Sequence, residues 1–233
     1  RTDSIWDVFC REPGAVVGGD TGEVACDHYR RYASDVALMA DLGLQTYRFS
    51  TSWSRVCPDG GAPNRQGLDF YSRLVDELLT RGIAPWLTLY HWDLPQTQDR
   101  GGWADRDTAH RFADYAGVVH DTLGDRVTAW TSLNEPWCAS FLSYIGGEHA
   151  PGRQDVRAGL AAAHHLLLAH GLATRELRSR DESLQLGITL NLTVADPVNP
   201  TDPGDLDAAR KIDGQFNRFF LDPIFRGRYP EDV

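Results

Sequence analysis

Apolar residues recur along this chain in two alternating rhythms. In the first, Tyr32, Val36 and Met39 fall three or four residues apart, as do Phe70, Tyr71, Leu74, Val75 and Leu78, and later Phe112, Tyr115, Val119 and Leu123. That spacing gathers apolar side chains on one face of an α-helix. In the second, short apolar and β-branched runs, Thr46–Ser50, Pro85–His91, Val127–Leu133 and Leu186–Leu192, read as buried strands. Asp27 can cap the first helix, and Gly43, Gly82 and Gly124 suit the ends of the first three. The alanine-rich stretch Val156–Arg180 predicts a fourth helix, and Leu206–Phe220 a fifth that leads to Asp222-Pro223 with no strand after it. Arg1 to Asp27 is rich in glycine and aperiodic, which predicts loop with one short turn around Ser4–Phe9.

The strand and helix rhythms take turns. Thr46, Leu87 and Thr128 stand 41 residues apart, and Gly187 follows 59 later. Strands alternating with helices imply parallel strands joined by right-handed crossovers, hence a doubly wound sheet or a (β/α)8 barrel. Two features favour the barrel: no glycine-rich phosphate loop follows any strand, and polar and aromatic residues gather just after the strand ends, where barrels build their active sites. A closed barrel takes roughly 250 residues. The expected fold class is therefore α/β, an incomplete (β/α)8 TIM barrel with about four central βα units, lacking a first strand and the C-terminal units, and residues 1–233 form one partial domain. Such a piece would leave parallel strand edges open to pairing with another chain.

Composition narrows the partners. The chain is 42% hydrophobic and 24% charged, within the range of ordinary globular proteins. A net charge of -10 repels phosphate backbones, and the basic residues, 22 arginines and Lys211, form no run along the sequence, so no nucleic-acid partner is expected. No stretch approaches the roughly 20 apolar residues of a membrane span, and no signal pattern opens the chain. Cys10, Cys26, Cys57 and Cys138 are widely spaced, which favours reduced thiols in a cytoplasm. His164 and His165 are adjacent on a helix and cannot share a face, and His170 has no clear carboxylate partner, so no metal site is expected. Asn191-Leu192-Thr193 matches a glycosylation sequon but falls at a strand end, where a place in the pocket wall or packing is the expected role.

Three strands deliver chemistry to one rim: Tyr47-Arg48-Phe49-Ser50, then His91-Trp92-Asp93-Leu94-Pro95, then Asn134-Glu135-Pro136-Trp137. Such a rim suits a sugar, whose hydroxyls take paired donors and acceptors and whose C–H face stacks on aromatic rings. Glu135, a carboxyl at a strand end beside an amide, is what glycosidic cleavage requires of a proton donor.

These motifs, together with Asp20-Thr21-Gly22, Ala25-Cys26-Asp27-His28-Tyr29, Tyr90-His91-Trp92-Asp93-Leu94-Pro95 and His149-Ala150-Pro151-Gly152, resemble glycoside hydrolase family 1, the β-glucosidase family, over essentially the whole chain and in order. The resemblance is closer to bacterial β-glucosidases than to phospho-β-glucosidases. It implies a retaining hydrolase of β-glucosides with no cofactor and no metal, its partner a small β-glycoside or oligosaccharide. It implies that Glu135 is the acid/base, that His91 and Asn134 bind the sugar, Asn134 through its 2-hydroxyl, and that Trp92 and Trp137 line the pocket, Trp137 toward the leaving group. Arg48 would sit near the nucleophilic carboxylate and keep it ionised. Two family features are missing from these residues: a sugar-binding glutamine on an earlier strand and a nucleophile in a T-E-N-G type motif on a later one. Asp93 fits a structural role, and Glu23, Glu148 and Asp196 lie in loops, so the isolated 233 residues are expected to be inactive. The competing reading is a non-catalytic carbohydrate-binding or degenerate barrel.

Overall fold

The computed structural model describes residues 1–233. In chain order its main elements are α1 (Ile5–Phe9), α2 (His28–Asp41), β1 (Thr46–Ser50), α3 (Trp53–Val56), α4 (Arg65–Thr80), β2 (Ala84–Tyr90), α5 (Asp107–Leu123), β3 (Ala129–Asn134), α6 (Val156–Arg180), β4 (Gln185–Thr189), α7 (Pro203–Asp213) and α8 (Phe219–Arg226). The strands make one parallel sheet in the order β1-β2-β3-β4, with Thr46 opposite Ala84, Trp86 opposite Ala129 and Trp130 opposite Leu186. The strand–helix alternation expected of an incomplete barrel is what folds.

One face of this sheet carries the core. Helix α4 buries Leu74, Val75 and Leu78 and α5 buries Phe112 and Val119, residues whose spacing marked those helices, while α5 also buries Ala116 and α6 buries Ala162, Leu166, Ala169 and Ala173. The small side chains of α6 let it lie close against α5. Close approach also explains Gly67: a Cβ there would stand 2.3 Å from the Arg55 carbonyl oxygen. The opposite face is open. Thr46, Arg48 and Ser50 are exposed on it, and the Trp86 ring is 42% exposed although its Nε1 donates to Thr131 Oγ1 on β3 at 2.9 Å.

Local chemistry sets most boundaries. Ser4 and Asp7 make a reciprocal capping box that starts α1 where the short turn was expected. Asp155 accepts from the Arg157 and Ala158 amides at the head of α6, and Arg178 and Arg180 in its last turn face the negative helix end. At Gly43 and Gly82 the backbone turns left-handed (φ +75° and +71°), stopping α2 and α4.

Several expectations need correction. Asp27 holds the position before α2, but its own backbone is left-handed (φ 52°), not the extended form a side-chain cap requires, and its carboxylate pairs with Arg30 at 3.0 Å instead. The fourth strand ends at Thr189, because from Leu190 the chain leaves the ladder. The fifth helix is divided: a π-helical turn, Gly214–Arg218, separates α7 from α8. There Asn217 bonds both Asp213 and the Thr193 carbonyl, and Arg218 bonds Asp213. The stretch after β4 is thus tied down by hydrogen bonds between Asn217 and the backbone of the sequon threonine, which is itself exposed. A π-helical segment, Cys138–Gly146, went unseen in the sequence. His164 bonds Tyr229, His165 the Trp103 carbonyl and His170 the Ser132 hydroxyl, so the three histidines face three different partners. No helix is long and apolar enough to cross a membrane.

His170 yields a stability prediction. Burial first, and Arg178 second, push its pKa down to about 4. Below pH 6.5 the unfolded chain takes up a proton that the folded chain refuses, so folding stability falls as pH drops from 6.5 toward 4, by about 2 kcal/mol at pH 5. In urea unfolding at pH 7 and pH 5, His170→Asn, whose amide replaces the Nδ1 bond to Ser132, is expected to lose less stability than the parent by about that amount; equal losses would contradict the assignment.

Candidate active site

Arg48 organises the rim. Rooted on β1, it donates from Nε to Thr88 Oγ1 on β2 at 2.9 Å and from Nη2 to Asn134 Oδ1 at the end of β3 at 2.8 Å, linking three strands through one rigid fork. Because Asn134 Oδ1 is occupied, its NH2 is left as a donor with no protein partner. Strict alternation would put Thr131 and Asn134 on opposite faces. Between them the register against β4 slips by one residue, Thr131 facing Gly187 and Asn134 facing Thr189, so both reach the same interior.

Glu135 follows at once with φ 47°, in the left-handed region that a non-glycine residue occupies at a cost of about 1–3 kcal/mol. Pro136 adds to the constraint, since a following proline disfavours helical backbone. Two contacts hold the conformation: the Glu135 amide donates to the Thr189 carbonyl at 2.8 Å, and the Glu135 carbonyl accepts from Ala139 at 3.2 Å. The half-buried carboxylate accepts at Oε2 from the Cys138 thiol at 3.4 Å.

Beside it, two residues past the end of β2, stands a second strained residue, Trp92 (φ 80°), whose Nε1 donates to the Asn134 carbonyl at 2.9 Å. The Trp92 ring stacks near Trp6 of α1 at 6.4 Å and tilts against His149 at 5.1 Å. His91 stands open on the rim, 5.2 Å between ring centres from Trp92. Its pKa is lowered, chiefly by desolvation and then by Arg48, with Glu135 pulling the other way; the neutral ring keeps one donor and one acceptor. Trp137 stacks on Phe216 at 4.3 Å and on Phe141 at 5.6 Å, and its buried Nε1 has no partner.

Arg48, His91, Trp92, Asn134, Glu135 and Trp137 thus lie at one end of the sheet, with Trp137 turned toward the π-helical turn Gly214–Arg218. Asp93 is set apart: burial raises its pKa to about 7, against the pull of the Ser52 hydroxyl, in keeping with a structural carboxyl. Glu23 is an exposed partner of Arg11, and neither it nor Glu148 or Asp196 bonds Glu135, Asn134 or Arg48. No three His, Cys, Asp or Glu side chains converge as a metal would need. Sequence reasoning missed Trp6, Thr88, Cys138, His149 and Phe216 as parts of the site. Two of them left a signal: Cys138 lies one helical turn after Glu135, and His149 opens the motif His149-Ala150-Pro151-Gly152.

Comparison with known proteins decides the relationship, for the model of glycosyl hydrolase family 1 matches residues 1–233. The chain belongs to glycosyl hydrolase family 1. The thermostable beta-glucosidase B of Thermobispora bispora is 59% identical over 231 residues, which is 98% of this chain and 47% of that protein. A psychrophilic β-glucosidase from Micrococcus antarcticus superposes with a TM-score of 0.97 at 60% identity, over 100% of this chain and 50% of that one. The virulence factor SghA of Agrobacterium tumefaciens, solved with its substrate analog salicin, gives a TM-score of 0.96 at 47% identity, over 99% and 51%. The chain spans about half the length of the curated relatives it matches. Within family 1 its fold is an incomplete α/β barrel.

The cysteines offer a direct check of this geometry. All four are free; Cys26 is exposed and Cys10 half-buried, whereas burial pushes the thiols of Cys57 and Cys138 up, to about 11 and about 12, Cys138 helped by the Glu135 carboxylate. A thiol reagent at pH 8 is expected to label Cys10 and Cys26 quickly and the other two only after denaturation. Rapid labelling of Cys138 would refute its place against Glu135.

Proposed function

We propose that these residues carry the acid/base half of a retaining β-glucosidase. The arrangement that supports this best is Arg48 holding Asn134 while Asn134 leads directly into Glu135, with the amide NH2 and the carboxylate both left free of backbone duties. Glu135 protonates the glycosidic oxygen as the bond breaks, then takes a proton from the water that ends the cycle. Asn134 donates to the 2-hydroxyl, His91 hydrogen-bonds the same sugar ring, Trp92 walls the pocket, and Trp137, backed by Phe216, faces the leaving group. The nucleophile is a second carboxylate about 5–5.5 Å from Glu135, supplied from outside these 233 residues. Arg48 Nη1, which has no protein partner, faces that carboxylate and favours its ionised form.

The substrate class is a short β-glucoside or related oligosaccharide. Relatives are named beta-glucosidases, and one, from Bifidobacterium breve at 51% identity, a bifunctional beta-D-glucosidase/beta-D-fucosidase. Residues 1–233 act as part of one catalytic domain, and unpaired cysteines suit a cytoplasmic location.

Two assays test the reading. The 233-residue chain is expected to leave an aryl β-glucoside intact; turnover that Glu135→Gln abolishes would show that the second carboxylate lies within these residues after all. In a chain that also carries the second carboxylate, Glu135→Gln is expected to lower kcat/KM by about 10²–10⁴ on alkyl β-glucosides, whose leaving group needs the proton, and far less on aryl glucosides with acidic phenols. Equal losses on both would remove Glu135 from the proton-donor role, and sugar binding without any turnover would make the protein a carbohydrate-binding barrel.

A further inference from the structure

Behind the sheet, the stretch of α6 from His164 to Arg178 and the segment from α8 to Tyr229 border a cavity of about 640 Å3 that is open to solvent on one side, none of whose lining residues belongs to the strand-end rim. It is lined by Arg175, Arg178 and Arg228, with His164, His170 and Tyr229 among them, and by no Asp or Glu, although Arg228 and Tyr229 also border Asp222, Glu231 and Asp232 on their other side. In a chain with 33 acidic and 23 basic residues that exclusion is unusual. Nearby arginines are neutralised: Arg180 pairs with Glu176 and Asp121, Arg218 with Asp213 and Asp232, and Arg226 with Asp222. Arg175, Arg178 and Arg228 make no ion pair and no side-chain hydrogen bond.

Three unpaired guanidinium groups on a concave wall create a positive field that raises the local concentration of anions. The field reaches His170, whose proton affinity Arg178 lowers further. Guanidinium forks match the oxygens of a phosphate group. The volume lies within the range of small-ligand sites, and Leu167, Leu168 and Ile224 give the body of such a ligand an apolar wall. His164 and Tyr229, bonded to each other at 2.9 Å, add polar groups at the edge.

We propose that this cavity is a binding site for a small organic phosphate monoester, separate from the sugar site at the strand ends. The three arginines grip the phosphate, and the wall of α6 and α8 receives the ligand's body.

Calorimetric titration of the 233-residue chain with glucose 6-phosphate, glycerol 3-phosphate and glucose tests this. Saturable binding of the two phosphates, weakened by added salt, and none of glucose at this site is the expected result. Arg178→Gln and Arg228→Gln should each weaken phosphate binding by about tenfold, with circular dichroism unchanged because both side chains are exposed. Arg178→Lys should retain part of the affinity, and Glu135→Gln should leave it untouched. No saturable binding, equal binding by the arginine variants, or loss of binding in Glu135→Gln would overturn the proposal. Salt-sensitive self-association of the chain that Arg228→Gln abolishes, with no phosphate bound, would overturn it in favour of an interface between copies.

Discussion

The guanidinium of Arg48 is the contact on which the rim depends. A single side chain from β1 reaches β2 through Thr88 and β3 through Asn134, so the spacing of the strand ends is set by a planar group that bends little. Because the link takes the oxygen of Asn134 and leaves its nitrogen, it also decides which end of that amide meets a ligand. A lysine could supply the charge but not both bonds at fixed angles. The bulge before Asn134 serves the same end, turning the amide toward the guanidinium when regular pleating would turn it away.

Strain is concentrated beside that contact. Glu135 and Trp92 both adopt left-handed backbone without the freedom of glycine, and Trp92 donates to the carbonyl just before Glu135. Each would relax if its neighbours moved, yet β4 holds the Glu135 amide and Trp6 and His149 flank the Trp92 ring. Over-determined positions of this kind present a carboxylate in one orientation and spare a reaction the work of collecting it.

Much of this was legible in the sequence. Helical and strand rhythms located every βα unit, and α6 ends where its pattern does, because the core-facing side chains that create the rhythm are also the ones buried. The rim residues were visible as polar and aromatic groups at strand ends. What stayed hidden depends on contacts between distant residues. Asp27 looked like a cap because its residue type allows one, but its backbone had already turned left-handed. The π-helical turns at Cys138–Gly146 and Gly214–Arg218 break the 3.6-residue period itself, and the second is held by Asn217 and Arg218 through partners remote in sequence. Phe216 reaches Trp137 from a different unit, and no local pattern announces such a meeting.

The strand order, identical to the order along the chain, has a consequence for how the molecule comes into being. Each strand pairs with the one made just before it, and each helix closes over a neighbour in time as well as in space. Each new strand then closes a crossover of a single helical unit and not a loop across several. As the chain leaves the ribosome the sheet can grow in one direction, and Arg48, Thr88 and Asn134 are in hand once β3 has joined. The turn at Glu135 waits for one unit more, α6 and β4, which brings the Thr189 carbonyl to the Glu135 amide.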